Sequence, residues 1–163
     1  MSIYFDGSGF SAERLCAEQF NGTLTSEKEW QYKDVDLFIK GKSCSVKDQL
    51  GSSAKFNSIQ IELQLINTDN NQSMKGCFYS NESDYYFWRV TTKDNGDSWV
   101  VVESEKLKHW VESNKDSLRP WTTTAYTERK NRSYGRTFNR SKGVVVTVEQ
   151  LQALGKTIKC IRQ

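Results

Sequence analysis

Proline and histidine are almost absent from this chain of 163 residues, which contains one of each, Pro120 and His109. With a single proline and no low-complexity tract, the sequence shows no linker, and we expect residues 1–163 to form one domain. One histidine is too few for a histidine-based metal site. The sequence also lacks the run of about 20 apolar residues that a membrane-spanning helix needs, which argues against a membrane partner.

The four cysteines are scattered, with no C-x-x-C pair among Cys16, Cys44, Cys77 and Cys160. The N-terminal residues lack the basic-then-apolar layout of a signal peptide. We therefore expect a cytoplasmic protein whose cysteines are reduced thiols, mostly buried, without a disulfide framework or a zinc site. A P-loop, a G-x-G-x-x-G loop and a G-x-S-x-G elbow are missing as well.

Positive charge is concentrated in residues 119–142, although the net charge of the whole chain is only +3. This basic segment contains a single acidic residue, Glu128, and four aromatic residues, Trp121, Tyr126, Tyr134 and Phe138. Its basic residues are Arg119, Arg129, Lys130, Arg132, Arg136, Arg140 and Lys142. Such a segment can grip the phosphates of a nucleic acid and stack on its bases, or it can be a solvated loop.

Hydrophobic periodicity and turn residues predict an α/β protein with a central mixed β-sheet flanked by helices. The predicted helices are 11–20, ended by Asn21-Gly22, then 104–114, capped by Ser104, and a third helix that begins with a Thr147–Gln150 capping box and stops at Gly155. The predicted strands are 35–39, 43–47, 58–66, 84–92, 98–104 and 143–147, of which 84–92 has the aromatic character of a central strand.

The first two predicted strands form a hairpin, "KDVDLFIKGKSCSVKDQ" (33–49), that carries groups suited to phosphodiester hydrolysis. Because side chains alternate along a strand, Ser45 and Lys47 share a face, as do Asp34 and Asp36. Mg²⁺ neutralises phosphate charge and activates water, and it prefers carboxylate oxygens. A neighbouring lysine orients the water or stabilises developing charge. On residue types alone, a plain surface hairpin remains the alternative.

The same hairpin resembles the core of the PD-(D/E)xK nuclease superfamily, the fold of restriction endonucleases and Holliday-junction resolvases. Asp36, before "LFI", matches the aspartate of that family, and Lys47 matches its lysine. Downstream, "NSIQIEL" (57–63) and "YSNESDYYFWRV" (79–90) are similar to segments of phage and bacterial nucleases of this type. The resemblance spans about residues 11–91 and implies a restriction-endonuclease-like fold.

The chain departs from the family at Ser45, which stands where an acidic residue usually precedes the lysine. A hydroxyl is a poorer Mg²⁺ ligand than a carboxylate, and Glu62 on the next strand is the best substitute. Gln49 can add a carbonyl oxygen or hold a water. The family often adds a glutamate from its first helix. Glu13 flanks the apolar stripe of the predicted helix, whereas Glu18 points away from it.

The resemblance thus implies a DNA endonuclease that depends on Mg²⁺ or Mn²⁺, with RNA as an alternative substrate. Asp36 and Glu62 would hold the metal ion, Lys47 would activate water or stabilise the transition state, and Ser45 or Gln49 would assist. Asp34 would be a solvated neighbour of Asp36. Nucleases of this type usually cut both strands as homodimers, so a homodimer is one expected assembly. Two alternatives stay open: an inactive nuclease fold that binds nucleic acid, and a phage-type inhibitor or regulator that binds a protein.

Overall fold

A computed structural model describes residues 8–25, 30, 33–66, 72–122, 129–131, 136–138 and 140–161. Its helices are α1 (Ser8–Phe20), α2 (Leu50–Phe56), α3 (Cys77–Ser80), α4 (Ser104–Asn114) and α5 (Val148–Gln152), with a 3₁₀ turn at Lys115–Ser117. Its strands are β1 (Thr23–Leu24), β2 (Leu37–Ile39), β3 (Lys42–Asp48), β4 (Ser58–Ile66), β5 (Ser73–Lys75), β6 (Tyr85–Thr92), β7 (Gly96–Glu103), β8 (Arg119–Thr122), β9 (Arg129–Asn131), β10 (Arg136–Phe138), β11 (Arg140–Thr147) and β12 (Lys156–Lys159).

The central sheet is mixed and has six strands in the order β1-β2-β3-β6-β7-β12. Strands β3 and β6 are parallel, and every other neighbouring pair in this sheet is antiparallel. A mixed sheet flanked by helices is therefore confirmed, and β6 is a central strand as its aromatic sequence predicts.

A second, antiparallel sheet packs against the central one and has the order β5-β4-β11-β8. The sequence does not reveal this second layer. The alternation of β4 describes a half-buried strand but does not specify which sheet it joins. Strands β9 and β10 form a separate antiparallel hairpin between β8 and β11 in the chain.

Two hydrophobic clusters lie on the two faces of the central sheet. On one face, Ala12 and Cys16 of α1 pack with Cys44, Val46 and Phe87 of the sheet, as the predicted apolar stripe of α1 requires. The other face is covered by the second sheet and by helices. Its buried residues include Tyr86 and Trp88 from β6, Ile59 and Ile61 from β4, Val144 and Val146 from β11, and Leu107 and Val111 from α4.

Several sequence predictions match the structure closely. The bounds of strand 58–66 and helix 104–114 agree, and the capping box joins Thr147 and Gln150 through two hydrogen bonds. Asn21 adopts the left-handed conformation just after α1, where a helix stop is expected.

Other predictions are wrong at the level of single residues or elements. Ser104 does not cap α4, because it is the first helical residue and its hydroxyl bonds Ser83 instead. The basic segment, considered as a loop, contains strands β8, β9 and β10 and the start of β11. Strand β12 and the short helices α2 and α3 were not predicted.

All four cysteines are free; Cys16 and Cys44 are buried, while Cys77 and Cys160 are half-buried. Within the described ranges, none of the helices has the length and apolar character needed to cross a membrane.

The contact between β4 and β11 leaves no room for a side chain at Gly143, where the register of the two strands shifts. A Cβ atom there would lie 1.7 Å from the carbonyl oxygen of Ile61. We predict that Gly143→Ala lowers the free energy of unfolding by at least about 3 kcal/mol, since backbone must move. Urea denaturation measures this.

Gly51 in α2 provides the matched control, because a Cβ there meets nothing within 4 Å. We expect Gly51→Ala to leave the free energy of unfolding unchanged or to raise it by up to about 1 kcal/mol. Equal unfolding curves for Gly143→Ala and Gly51→Ala would show that the close approach of β4 to β11 at Gly143 is not needed for stability.

Candidate active site

The β2–β3 hairpin is closed by a two-residue turn at Lys40 and Gly41, both with positive φ angles of 50° and 79°. Positive φ at both positions is typical of a type I′ turn, whose twist suits adjacent antiparallel strands. The turn sets the register in which Leu37 faces Cys44. Just before β2, the backbone N–H of Asp36 donates to the Cys44 carbonyl at 2.8 Å, so Asp36 continues the ladder.

The carboxylate of Asp36 is held between the hairpin and α1. One oxygen, Oδ2, accepts a hydrogen bond from the backbone N–H of Val46 at 2.7 Å, and the side chain also hydrogen-bonds Glu13. Burial, the contact with Glu13 and the charge of Asp34 together raise the pKa of Asp36 to about 8. Two carboxyl groups in contact require either a shared proton or a cation between them.

Asp34 forms an ion pair with Lys47, in which Nζ lies 2.7 Å from Oδ2. The same oxygen accepts a hydrogen bond from Asn81 Nδ2 at 3.2 Å. The side chains of Lys47 and Asp34 are only 21% and 19% exposed. Asp34 is therefore not the solvated neighbour that the sequence suggested. Its left-handed backbone, with φ of 58°, is a conformation that aspartate tolerates.

Lys47 is a charged group inside the protein, on the face of the central sheet opposite α1. Burial alone would lower its pKa, but the adjacent Asp34 carboxylate reverses this, and the pKa of Lys47 is raised. Its Nζ also lies 4.0 Å from Cys77 Sγ, where burial raises the pKa of the thiol to about 11. Lys47 thus carries its charge between the carboxylate of Asp34 and a neutral thiol.

Ser45 is fully buried next to this pair and faces Tyr86 in the neighbouring strand β6. None of the described residues forms a hydrogen bond with Ser45 Oγ. An unpaired buried hydroxyl lowers the free energy of unfolding by about 1–3 kcal/mol, so Ser45 at this position destabilises the folded protein. Its neighbour in sequence, Val46, supplies the N–H that binds Asp36.

Glu62 and Gln49 lie with Lys47 around a cavity of about 170 Å³ between the two sheets, which we call the inter-sheet cavity. Glu62 Oε2 accepts a hydrogen bond from Ser141 Oγ at 2.7 Å, and Oε1 accepts one from the backbone N–H of Cys77 at 3.3 Å. Gln49 Oε1 accepts from Ser52 Oγ at 2.8 Å. The structure therefore brings Lys47, Gln49 and Glu62 together.

The two predicted metal ligands have different surroundings. Asp36 contacts Glu13 of α1 and is not among the described residues that line the inter-sheet cavity, whereas Glu62 lines that cavity from β4. The carboxyl partner of Asp36 is thus Glu13, the residue that flanks the stripe of α1. Glu18 on the same helix is exposed. We call Glu13, Asp34 and Asp36 the acidic cluster.

The fit of this cluster to a metal ion rests on two carboxyl groups. Within the described part of the chain, no group of three or more His, Cys, Asp or Glu side chains is arranged to hold a metal ion. Mg²⁺, however, is commonly bound through one or two carboxylates plus substrate phosphates and water. The contact between Asp36 and Glu13, with no described cation between them, fits that mode of binding.

The basic segment extends from the strands that border the inter-sheet cavity. Trp121 of β8 lines the cavity, and β11 pairs with β4, which carries Glu62. Arg119 and Lys142 are exposed and Arg140 is half-buried. Arg129 and Lys130 lie on β9 and Arg136 lies on β10, whereas Arg132 is outside the described residues.

Sequence reasoning missed Asn81, Cys77, Tyr86 and Trp88 as neighbours of Lys47. The parallel pairing of β3 with β6 places Tyr86 and Trp88 beside Ser45 and Lys47, and such a pairing cannot be deduced from either strand alone. For Asn81, no signal in the sequence links it to the hairpin.

No model of a known protein family matches this chain, and no curated protein is significantly similar to it.

The acidic cluster predicts a pH-dependent stability. Between about pH 4 and about pH 8, Asp36 is protonated in the folded protein but ionised in the unfolded chain, because folding raises its pKa. The contribution of Asp36 therefore makes the free energy of unfolding decrease as the pH rises through this window. The amide that Asp36→Asn introduces cannot ionise. We predict that this variant, measured by urea denaturation in EDTA, becomes progressively more stable than wild type from pH 5 to pH 8, with a difference that grows by up to about 1.4 kcal/mol per pH unit.

Glu18→Gln is the control, since Glu18 is exposed on the same helix as Glu13. Its stability should follow that of wild type at every pH. A stability difference between Asp36→Asn and wild type that does not change with pH would contradict the assignment of a raised pKa to Asp36.

Proposed function

We propose that this protein is a metal-dependent nuclease that hydrolyses phosphodiester bonds of DNA, with Mg²⁺ or Mn²⁺ as cofactor. The observation that carries the proposal is a carboxyl pair, Asp36 and Glu13, close to Asp34, which in turn pairs with the half-buried Lys47. Asp36 hydrogen-bonds Glu13, and Asp34 holds Lys47 at 2.7 Å. A divalent cation would balance the negative charge of the Asp36–Glu13 pair when both carboxyl groups are ionised.

Glu13 and Asp36 are the residues that would hold the cation. When bound, the metal ion supplies charge neutralisation at the scissile phosphate and activates water. Asp36 has one oxygen committed to the Val46 N–H, which fixes the orientation of the carboxylate. The Glu13 carboxyl contacts the same side chain, so the two groups are already adjacent before a cation binds.

Lys47 is the residue that would act on the substrate. Asp34 keeps its ammonium group charged and fixed, and Asn81 in turn fixes Asp34. An ammonium group held in a site with little water can donate to a phosphate oxygen and stabilise the charge that develops during hydrolysis. Asp34 is therefore a positioning residue rather than a metal ligand in this proposal.

In this proposal Glu62 has a different role from the one that the sequence suggested, whereas Gln49 keeps its suggested role of holding a water. Because Glu62 lies across the inter-sheet cavity, on β4, we assign it and Gln49 to holding substrate or water beside Lys47. The acid that the family places before the lysine is then supplied by Glu13, which is bonded to the aspartate of the hairpin.

The basic segment would bind the phosphates on either side of the scissile bond. It joins β8, which lines the inter-sheet cavity through Trp121, to β11, which pairs with the cavity-lining strand β4. Affinity for DNA should therefore fall steeply with salt, because each neutralised phosphate releases counterions.

A second candidate function is favoured by Ser45. Its buried hydroxyl stands where the family resemblance places an acid, and a site with one carboxylate fewer can retain binding while losing hydrolysis. In that case the protein binds nucleic acid through the basic segment without cutting it.

The proposal predicts cleavage that depends on both the acidic cluster and Lys47. Supercoiled, single-stranded and branched DNA are incubated with Mg²⁺ or Mn²⁺, and the supercoiled form also distinguishes nicking from cutting of both strands. We expect Glu13→Gln, Asp36→Asn and Lys47→Met each to lower the cleavage rate at least about 100-fold. EDTA should abolish cleavage.

Matched controls exist on the same elements. Glu18→Gln on α1 and Lys42→Met on β3 change exposed residues and should cleave like wild type. DNA binding without cleavage under all conditions supports the second candidate. Cleavage that survives Glu13→Gln and Asp36→Asn would refute the assignment of the metal ligands.

A further inference from the structure

Two side chains that line the inter-sheet cavity carry buried polar groups for which none of the described residues is a partner. Tyr86 and Trp88 both line it and are 0% and 2% exposed. No described residue forms a hydrogen bond with the hydroxyl of Tyr86 or with Nε1 of Trp88. Buried donors of this kind are rare in folded proteins, and each unpaired one costs about 1–3 kcal/mol. Two of them around one cavity indicate a ligand with hydrogen-bond acceptors.

The other walls of the cavity are aromatic. Phe78 stacks on Tyr86 with an interplanar angle of 19°, and the ring centroids of Tyr86 and Trp88 are 5.4 Å apart. Trp121 closes another side from β8. Aromatic walls with a few polar groups suit a flat, polar ring, because base–aromatic stacking contributes about 1–3 kcal/mol per base.

The volume of the cavity matches that of one six-membered aromatic ring. Its volume is about 170 Å³, and a cavity of about 150 Å³ in another protein accommodates benzene. A pyrimidine, with one ring and two carbonyl or imino acceptors, matches both the space and the donors of Tyr86 and Trp88. The amide groups of Gln49 and Gln60, which also line the cavity, can pair with the same edge of such a ring.

Lys47 connects this cavity to the acidic cluster. It lines the cavity, and its Nζ is bonded to Asp34. A nucleotide whose base enters the cavity would therefore have its phosphate near Lys47 and the Asp34 carboxylate that holds it. The geometry leads us to propose that the inter-sheet cavity binds one unpaired pyrimidine base of the nucleic acid. This inference rests on the proposed function, and it means that the substrate carries an unstacked base at the cleavage site.

The test is binding of nucleoside monophosphates in EDTA, which requires neither metal nor cleavage. We expect dCMP or TMP to bind saturably by calorimetry, more tightly than dAMP or dGMP, while deoxyribose 5-phosphate binds at least about 10-fold more weakly. Tyr86→Phe and Trp88→Phe remove the two donors and keep aromatic rings in place. Each should weaken pyrimidine binding about 3- to 10-fold. Tyr86→Phe should do so without lowering the unfolding temperature, since the hydroxyl it removes has no described partner, whereas Trp88→Phe also removes buried ring volume and should lower that temperature.

Trp110→Phe is the matched control, since Trp110 packs against the same core but is not among the described residues that line the cavity. It should bind pyrimidine nucleotides like wild type. Binding of deoxyribose 5-phosphate as tight as that of dCMP, or purines bound more tightly than pyrimidines, would overturn the inference. If nucleotides fail to bind but the protein still cleaves DNA in an acidic-cluster-dependent way, the base site is wrong and the proposed function stands.

Discussion

The parallel pairing of β3 with β6 is the constraint on which both the core and the candidate site depend. It places Val46 beside Phe87 on the face covered by α1, and Lys47 beside Trp88 on the opposite face. Because side chains alternate along each strand, one register divides these residues between the hydrophobic layer under α1 and the inter-sheet cavity on the other face. A slip of β3 by one residue would turn Lys47 toward α1 and Val46 toward the opposite face of the sheet.

The candidate site is a region where the fold accepts unfavourable interactions. Asp36 and Glu13 are held in contact although both are acids, Ser45 Oγ is buried without a described hydrogen bond, and Lys47 is half-buried with its charge. Each of these lowers stability or requires compensation, and the Asp34–Lys47 pair supplies part of it. Groups that weaken the fold and converge on one place are typical of functional sites, because they are arranged for a ligand rather than for packing.

Much of the local structure could be predicted from the sequence, because it is determined locally. Strand β4, helix α4 and the α5 capping box follow from alternation, from helical periodicity and from a four-residue motif. The site is different, because its contacts join distant parts of the chain. Glu13 meets Asp36 through packing of α1 on the sheet, and Asn81 meets Asp34 across 47 residues. Nothing in the spacing of these residues specifies such contacts. The sequence therefore favoured Glu62 as the second metal ligand, because it lies on the next predicted strand, and could not show that Glu13 contacts Asp36.

The central claim is that Glu13 and Asp36 form a carboxyl pair that is completed by a divalent cation. The most direct test is NMR titration of the Asp36 side-chain carboxyl carbon, first in EDTA and then with saturating Mg²⁺. The account predicts an apparent pKa of about 8 in EDTA, because burial and Glu13 favour the protonated form, and a marked decrease when Mg²⁺ is present. An apparent pKa near that of an ordinary aspartate, unchanged by Mg²⁺, would contradict it.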